Sequence, residues 1–213
     1  MLGDVLLIED KHRQAAKALA EKILQTGKTR PVIAISGESG SGKSELSHCL
    51  ARELKDQGIR AKVIHSDNYY FVPPEERNDW RKAHGPESIG PEEYDWDAIH
   101  RTVSDFREKS VSEMPCIDLV TDQVDTLKTD FSQIGMLVID GLYAIATDHA
   151  DIRVLIDITY HETKKAQLLR GKEKVNEWRM TVLEQEHRRV SPLREKADWI
   201  VDGSYRLQQA DAK

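Results

Sequence analysis

Residues 32–44 read VIAISGESGSGKS, and this stretch decides the fold. Its first four residues are all apolar, which predicts a strand buried on both faces of a sheet. Leucines spaced four residues apart follow it and predict an amphipathic helix that ends near Gly58: Leu46, Leu50 and Leu54. The eight residues between the strand and the helix fit the pattern GxxxxGK(S/T) at every fixed position.

The residue types in this loop favour the binding of phosphate groups. The loop consists of Gly37, Glu38, Ser39, Gly40, Ser41, Gly42, Lys43 and Ser44. Its glycines allow backbone angles that turn successive N–H groups towards one anion, and the following helix adds its dipole and unpaired amides. Lys43 is expected to contact the β and γ phosphates, and Ser44 to ligate Mg²⁺. The loop therefore predicts a bound nucleoside triphosphate, although ATPases, GTPases and small-molecule kinases all share it.

Four further apolar runs indicate more buried strands, at residues 61–64, 136–139, 154–156 and 199–201. Helical patterns separate most of these runs, including a helix expected to start at Pro91 and another over residues 163–169. Strands that alternate with helices predict a parallel sheet. We therefore expect an α/β fold of one domain over residues 1–213. This is a three-layer P-loop NTPase fold with a central parallel five-stranded sheet, helices on both faces and a small lid.

Three segments of the expected domain differ in character. Residues 1–30 include a predicted helix over 10–26, with Asp10 as its cap, which is expected to pack on the sheet. Residues 68–90 combine prolines and glycines with many charges, which predicts an irregular loop on the acceptor side. Residues 161–189 are highly charged and helical in propensity, and we expect them to form the lid.

Composition argues against several other classes of function. The net charge of -6 argues against a general nucleic-acid binder, which usually carries a basic excess. The N-terminal apolar run of about five residues is too short for a signal peptide, and no run approaches the length of a membrane span. A cytoplasmic protein without a membrane partner is therefore expected. Cys49 and Cys116 lack the spacing of a zinc site and are expected to stay reduced and buried.

Two carboxylates follow predicted strands, at the place where ligands bind in open α/β sheets. Asp140 follows the run at 136–139 and is suited to a Mg²⁺ site, directly or through water. Asp67 follows the run at 61–64 and is suited to accept the proton of an attacking hydroxyl. The alternative for each is a structural role as the cap of a turn or helix. Asp157, inside another apolar run, is assigned a structural role.

Taken together, these residues resemble the uridine kinase and phosphoribulokinase family of P-loop kinases over residues 31–203. Asp67-Asn68-Tyr69-Tyr70 is similar to the family's Asp-Ser-Phe-Tyr motif, and Asp140-Gly141-Leu142-Tyr143 is similar to its Glu-Gly-Ile-Leu. The resemblance implies an enzyme, an ATP-dependent kinase, that transfers a phosphoryl group to a hydroxyl of a nucleoside, a sugar or a similar small molecule.

The resemblance also implies roles for individual residues. The implied catalytic residues are Asp67 as base, Lys43 and the lid residue Arg170. The implied substrate contacts are Asp67, Tyr69, Tyr70, Asp118, Arg170 and Lys174, and the implied metal ligands are Ser44 and Asp140. Arg179 is a looser match to a lid arginine. Apart from the resemblance, the irregular loop carries Arg77, Arg81, Lys82 and His84, which are interpreted either as contacts for an anionic acceptor or as ordinary surface charge.

Two departures from the family pattern leave the acceptor open. Uridine kinases carry a Tyr-Asp pair after a proline and a nearby histidine, whereas this chain has Pro115-Cys116-Ile117-Asp118. The lid segment also lacks the family's arginine-rich repeats. A nucleotide-dependent switch that acts through a protein partner is the alternative function, although the Asn-Lys-x-Asp motif of GTPases is absent. A homo-oligomer and the choice between ATP and GTP stay open.

Overall fold

The computed structural model describes residues 3–163 and 176–210. The described strands are β1 (Val32–Gly37), β2 (Ala61–His65), β3 (Val111–Asp118), β4 (Gln123–Asp130), β5 (Met136–Asp140), β6 (Ile152–Ile156), β7 (Trp199–Val201) and β8 (Leu207–Gln209). The described α-helices are α1 (Asp10–Gln25), α2 (Lys43–Asp56), α3 (Pro74–His84), α4 (Trp96–Glu108) and α5 (Glu177–Val190).

The main sheet has the strand order β2-β5-β1-β6-β7-β8 and is parallel except at its last strand. Its five parallel strands are the five apolar runs of the sequence, so the α/β prediction is confirmed. β8 is a sixth strand, antiparallel to β7, which the expected count of five omits because its residues form no apolar run. β3 and β4 form a separate antiparallel hairpin that the sequence pattern did not predict.

Helices cover both faces of the sheet because neighbouring residues of β1 point to opposite sides. Ile33 and Ile35 pack with α1 and α2 on one face. Val32 and Ala34 pack on the other face with α4, the hairpin and the turns that follow β5. β1 is buried along its whole length between these two layers.

Three predictions about local structure are corrected. The segment expected to be irregular contains α3, whose charged surface hid its helical period; Arg81 is the buried residue of this helix. α4 begins at Trp96, later than the expected start at Pro91, because the Asp95 side chain caps it by accepting from the Ala98 N–H at 2.9 Å. α1 is capped by Glu9, which lies one residue before the expected Asp10.

The expected lid falls partly outside the described residues, which end at 163 and resume at 176. Arg170, Lys174 and the helix predicted from residue 163 onward therefore lie largely or wholly in the undescribed part. Beyond it, α5 confirms the predicted helical character, and Val182, Leu183 and Val190 of this helix are buried. Of the helices in the described ranges, none combines the length and apolar character needed to cross a membrane.

The packing of Phe131 in the core beneath the hairpin can be tested by mutation. Its fully buried ring meets the ring of Phe106 edge to face, with the centroids 5.6 Å apart. We expect Phe131→Ala to lower the free energy of unfolding by about 3–5 kcal/mol, because it leaves a cavity and removes this aromatic pair. Urea denaturation measures the change. Val124→Ala is the control, since Val124 on β4 is 52% exposed; equal losses in the two variants would contradict this assignment of the core.

Candidate active site

The glycine-rich loop between β1 and α2 needs glycine at position 42. Gly42 has φ of 95°, in the left-handed region, and directly precedes α2. A Cβ atom at this residue would lie 2.3 Å from the Tyr205 hydroxyl. That hydroxyl donates to the carbonyl oxygens of Ser41 and Gly42, at 3.1 and 2.9 Å. The turn after β7, which carries Tyr205, thus holds the loop at the point where α2 begins.

The start of the loop is held by the buried side chain of Glu38. Its carboxylate accepts from the backbone N–H of Tyr160 and lies against Nδ1 of His187 on α5, each at 2.6 Å. Lys43 spans the loop, and its Nζ donates to the carbonyl oxygen of Glu38 at 2.9 Å. These contacts attach one loop residue to the turn after β6 and to α5.

Arg179 gives α5 a second contact with the loop. Its guanidinium donates to Oγ of Ser39 at 3.1 Å and lies 3.9 Å from the Glu186 carboxylate. Arg179, which the sequence matched only loosely to a lid arginine of the family, therefore lies beside the loop. Arg170 and Lys174 lie outside the described residues, so the structure does not place them.

Parallel strand register brings Asp140 to the loop. Asp140 pairs in register with Ile35 of β1 on one side and with His65 of β2 on the other. His65 Nδ1 lies 3.1 Å from the Asp140 carboxylate, and the Ser44 hydroxyl is also hydrogen-bonded to it. Burial opposes ionisation of Asp140, but the His65 ring, the Lys43 charge and the Ser44 hydroxyl together hold its pKa below the ordinary value.

Asp67 lies in the 3-10 turn after β2, at the same edge of the sheet. The Tyr94 hydroxyl lies 3.4 Å from the Asp67 carboxylate and 2.5 Å from the Tyr70 hydroxyl. Burial, with the nearby Asp67 charge contributing, raises the pKa of both tyrosines. The two phenols therefore stay protonated and serve as hydrogen-bond donors beside Asp67.

Tyr69 and Asp118 were expected to contact the substrate, but in the structure their side chains have other partners. Tyr69 is buried in the core, where its hydroxyl hydrogen-bonds that of Thr102 at 3.1 Å and burial raises its pKa to about 12. Asp118 ends β3, and its carboxylate accepts from the N–H of Val120 at 2.8 Å within the hairpin turn. Neither contact brings these side chains to Asp67.

The two arginines of α3 differ in their surroundings. Arg81 is buried and forms a bidentate pair with Glu93, at 2.6 and 2.8 Å, and lies 3.8 Å from Glu186. Its charge is therefore already balanced by carboxylates. Arg77 stacks on the Tyr70 ring, with its guanidinium carbon 3.4 Å from the ring centroid. Arg77 also donates to the Val72 carbonyl oxygen, at 3.2 Å, and lies closer to the Tyr70 ring than Arg81, whose guanidinium carbon is 5.8 Å from the centroid.

Sequence reasoning missed several residues of this site. The position of His65 beside Asp140 could have been predicted from the sequence. The two residues lie equally far along β2 and β5, and parallel strands that start together pair such residues. Tyr94 is aligned with Tyr70 by an isolated antiparallel bridge, which local sequence does not reveal. Tyr205 and His187 reach the loop from 163 and 149 residues away in sequence. Such contacts become visible only in the folded chain.

The fold and this arrangement define a P-loop kinase. The family described as Phosphoribulokinase / Uridine kinase matches residues 32–171, and the chain belongs to that family. The chain is accordingly an ATP-dependent small-molecule kinase, which transfers a phosphoryl group to a hydroxyl.

Individual relatives agree with this assignment. The chain is 25% identical over 166 residues to a uridine kinase of Ureaplasma urealyticum, which covers 76% of this chain and 79% of the relative. Two solved structures share the fold. Phosphoribulokinase from Rhodobacter spheroides has a TM-score of 0.61 at 14% identity, over 81% of this chain and 70% of that one. D-glycerate 3-kinase from Cryptococcus neoformans has a TM-score of 0.61 at 10% identity, over 94% and 99%.

The lowered pKa of Asp140 predicts an effect on acid stability. A carboxyl whose pKa is lower in the folded chain stabilises it above the ordinary value of 3.8, and this contribution is lost as the pH falls through the folded pKa. We expect the free energy of unfolding of Asp140→Asn to fall less steeply than that of the wild type as the pH is lowered below 5. Urea unfolding between pH 7 and pH 3 measures this. Asp148→Asn is the control, because Asp148 is exposed; the same flattening in both variants would contradict the prediction.

Proposed function

We propose that this chain transfers the γ-phosphoryl group of ATP to a hydroxyl of a small, hydroxyl-rich molecule, with Asp67 as the general base. The observation that carries the proposal is the common position of Asp67, Asp140 and the glycine-rich loop at one edge of the sheet. An acceptor hydroxyl has to lose its proton on the side of the γ-phosphate that faces away from the nucleoside. A carboxylate on that side is therefore suited to accept the proton.

The loop supplies the nucleotide end of the proposed site. Its backbone amides and Lys43 bind the phosphates, and the present contact of Lys43 with the Glu38 carbonyl is one that a phosphate oxygen replaces. The start of α2 adds its dipole. Because these groups are held by neighbouring side chains, little reorganisation is needed when the phosphates bind.

Ser44 and Asp140 fit a Mg²⁺ ion, which would neutralise phosphate charge. The fit rests on a buried, ionised carboxylate hydrogen-bonded to a hydroxyl beside the loop. Mg²⁺ commonly takes one or two protein oxygens and completes its shell with phosphate and water oxygens. Within residues 3–163 and 176–210, no group of three or more His, Cys, Asp or Glu side chains forms a self-sufficient metal site, which agrees with this mode of binding.

Asp67 and the tyrosine hydroxyls form the proposed acceptor end. Asp67 accepts the proton of the attacking hydroxyl. The Tyr94 hydroxyl donates to Asp67 or to Tyr70, and the Tyr70 hydroxyl keeps its own proton for the acceptor. A site with several hydroxyl and carboxylate groups favours a molecule that carries several hydroxyls. Arg170 and Lys174 remain proposed lid cations on sequence grounds, and the position of Arg179 beside Ser39 supports a similar role for it.

The named relatives indicate which acceptors to test. They include uridine kinases and a bifunctional alpha-galactosidase/sucrose kinase of Mediterraneibacter gnavus, which is 26% identical over 192 residues, or 20% of that protein. Uridine and sucrose are both rich in hydroxyl groups, as the proposed acceptor is. The comparisons therefore support the class of acceptor and leave its identity to experiment.

The proposed role of Asp67 predicts a large effect on turnover. ATP consumption with Mg²⁺ is measured with uridine, cytidine, sucrose, glucose, pantothenate, glycerate and ribulose 5-phosphate as acceptors. We expect stimulation by one acceptor class and a fall in its kcat of about 10²–10⁴-fold in Asp67→Asn, because the general base is removed. Nucleotide affinity, measured by calorimetry, should stay unchanged.

Asp79→Asn is the matched control, since the Asp79 side chain is 84% exposed on α3. This variant should keep wild-type turnover. If ATP hydrolysis proceeds without any acceptor and survives in Asp67→Asn, the chain acts as a nucleotide-dependent switch and the proposal is wrong.

A further inference from the structure

Glu186 on α5 is a buried carboxylate that lies between two arginines. Its side chain is 5% exposed. Nη1 of Arg81 on α3 lies 3.8 Å from Oε1 of Glu186, and Nη1 of Arg179 on α5 lies 3.9 Å from the same oxygen. One carboxylate oxygen therefore attracts a cation from the acceptor side of the site and a cation from beside the glycine-rich loop.

The guanidinium of Arg179 faces Glu186 with one nitrogen and the loop with another. Nη1 lies towards Glu186, while Nη2 donates to Oγ of Ser39 at 3.1 Å. The nitrogen donors of a guanidinium form a planar, fixed fork, so an anion beside one nitrogen also sets the direction of the others. The Arg179 side chain is 13% exposed, which leaves little room for a different orientation. Glu186 therefore directs Nη2 of Arg179 towards the loop.

Arg81 extends the same set of contacts towards Asp67. Its Nε and Nη2 donate to the two carboxylate oxygens of Glu93, at 2.6 and 2.8 Å, and its Nη1 faces Glu186. Glu93 directly precedes Tyr94, whose hydroxyl lies 3.4 Å from the Asp67 carboxylate. A continuous series of polar contacts and chain neighbours thus leads from the loop, through the Glu186 carboxylate, to the proposed general base.

Loss of the Glu186 charge would affect the two arginines differently. The cluster of Arg81, Arg179, Glu93 and Glu186 carries two positive and two negative charges. Without the charge of Glu186, the two guanidinium groups that now face one oxygen would repel each other. Arg81 keeps its bidentate pair with Glu93, so Arg179 is the cation that we expect to move.

We propose that Glu186 is a positioning residue, which holds Arg179 in the orientation in which its guanidinium meets the γ-phosphate on the loop. The inference rests on the proposed function in one respect, namely that Arg179 is a lid cation for the transferring phosphoryl group. Glu186 acts through Arg179 and not on the reacting atoms. A nucleotide without a γ-phosphate should therefore bind equally well with or without the Glu186 charge.

ADP with Mg²⁺ and beryllium fluoride tests this assignment without an acceptor, because beryllium fluoride takes the place of the γ-phosphoryl group beside ADP. Calorimetry measures ADP affinity with and without beryllium fluoride in the full chain. We expect beryllium fluoride to tighten ADP binding in the wild type. This gain should fall by about tenfold or more in Arg179→Gln and in Glu186→Gln, since a charge-assisted hydrogen bond is lost, while the affinity for ADP alone stays unchanged.

The double variant separates positioning from an independent structural role. If Glu186 acts through Arg179, the double variant loses no more of the gain than Arg179→Gln alone. Losses that multiply, or a wild-type gain in Glu186→Gln, would overturn the inference. If beryllium fluoride does not tighten ADP binding even in the wild type, both proposals are wrong. If the gain depends on Glu186 but no acceptor stimulates ATP consumption, the proposed function fails and the assignment of Glu186 stands.

Glu177→Gln is the matched control, because Glu177 is an exposed glutamate of the same helix, and it should keep the wild-type gain. Trp178 Nε1 also joins α5 to α3 by donating to Oδ1 of Asn78 at 2.6 Å, so we expect Glu186→Gln to stay folded, as urea denaturation checks.

Glu186→Asp keeps the charge and shortens the side chain by one methylene group, so we expect a gain between those of the wild type and Glu186→Gln. If Glu186→Gln does not fold, Glu186→Asp takes its place in the comparison with Arg179→Gln. An unchanged gain in Glu186→Asp would then overturn the inference.

Discussion

The pairing of β5 with its two neighbours is the constraint on which the site depends. Asp140 is in register with Ile35 on β1 and with His65 on β2, and parallel strands end at a common edge. The glycine-rich loop, the Asp140 carboxylate and the turn that carries Asp67 therefore meet without long connections. A shift of β5 by one residue would turn Asp140 to the opposite face and separate these groups.

Around this edge, partly or fully buried polar contacts fix the glycine-rich loop and the helices beside it. Glu38 is held by His187, and Arg81 is held by Glu93. Buried charges of this kind add little net stability, because the cost of removing them from water offsets their attraction. Their value lies in geometry: they hold α5, α3 and the glycine-rich loop in one arrangement, which transfer of a phosphoryl group between two bound molecules requires.

The sequence predicted what depends on local pattern. The five parallel strands are short, mostly apolar runs, interrupted by Lys62 in β2 and by Arg153 in β6, and the loop has a fixed spacing, so both were recognisable. α3 was missed because its surface is almost entirely charged and gives no apolar period. The hairpin of β3 and β4 was missed because β4 is exposed along most of its length. Tyr94 and Tyr205 act through contacts between distant parts of the chain, which no local pattern encodes.

The hydroxyl of Tyr205 on the loop carbonyls has a consequence for the opening motions of the protein. Through this residue and His12, the loop is joined to segments near residues 12 and 205, which lie far apart in sequence. A ligand that binds the loop only while these contacts are formed must, by thermodynamic linkage, make local unfolding of both segments rarer. Amide hydrogen exchange in the first turn of α1 and in the turn after β7 should therefore slow together when the loop is occupied, although neither segment belongs to the loop itself.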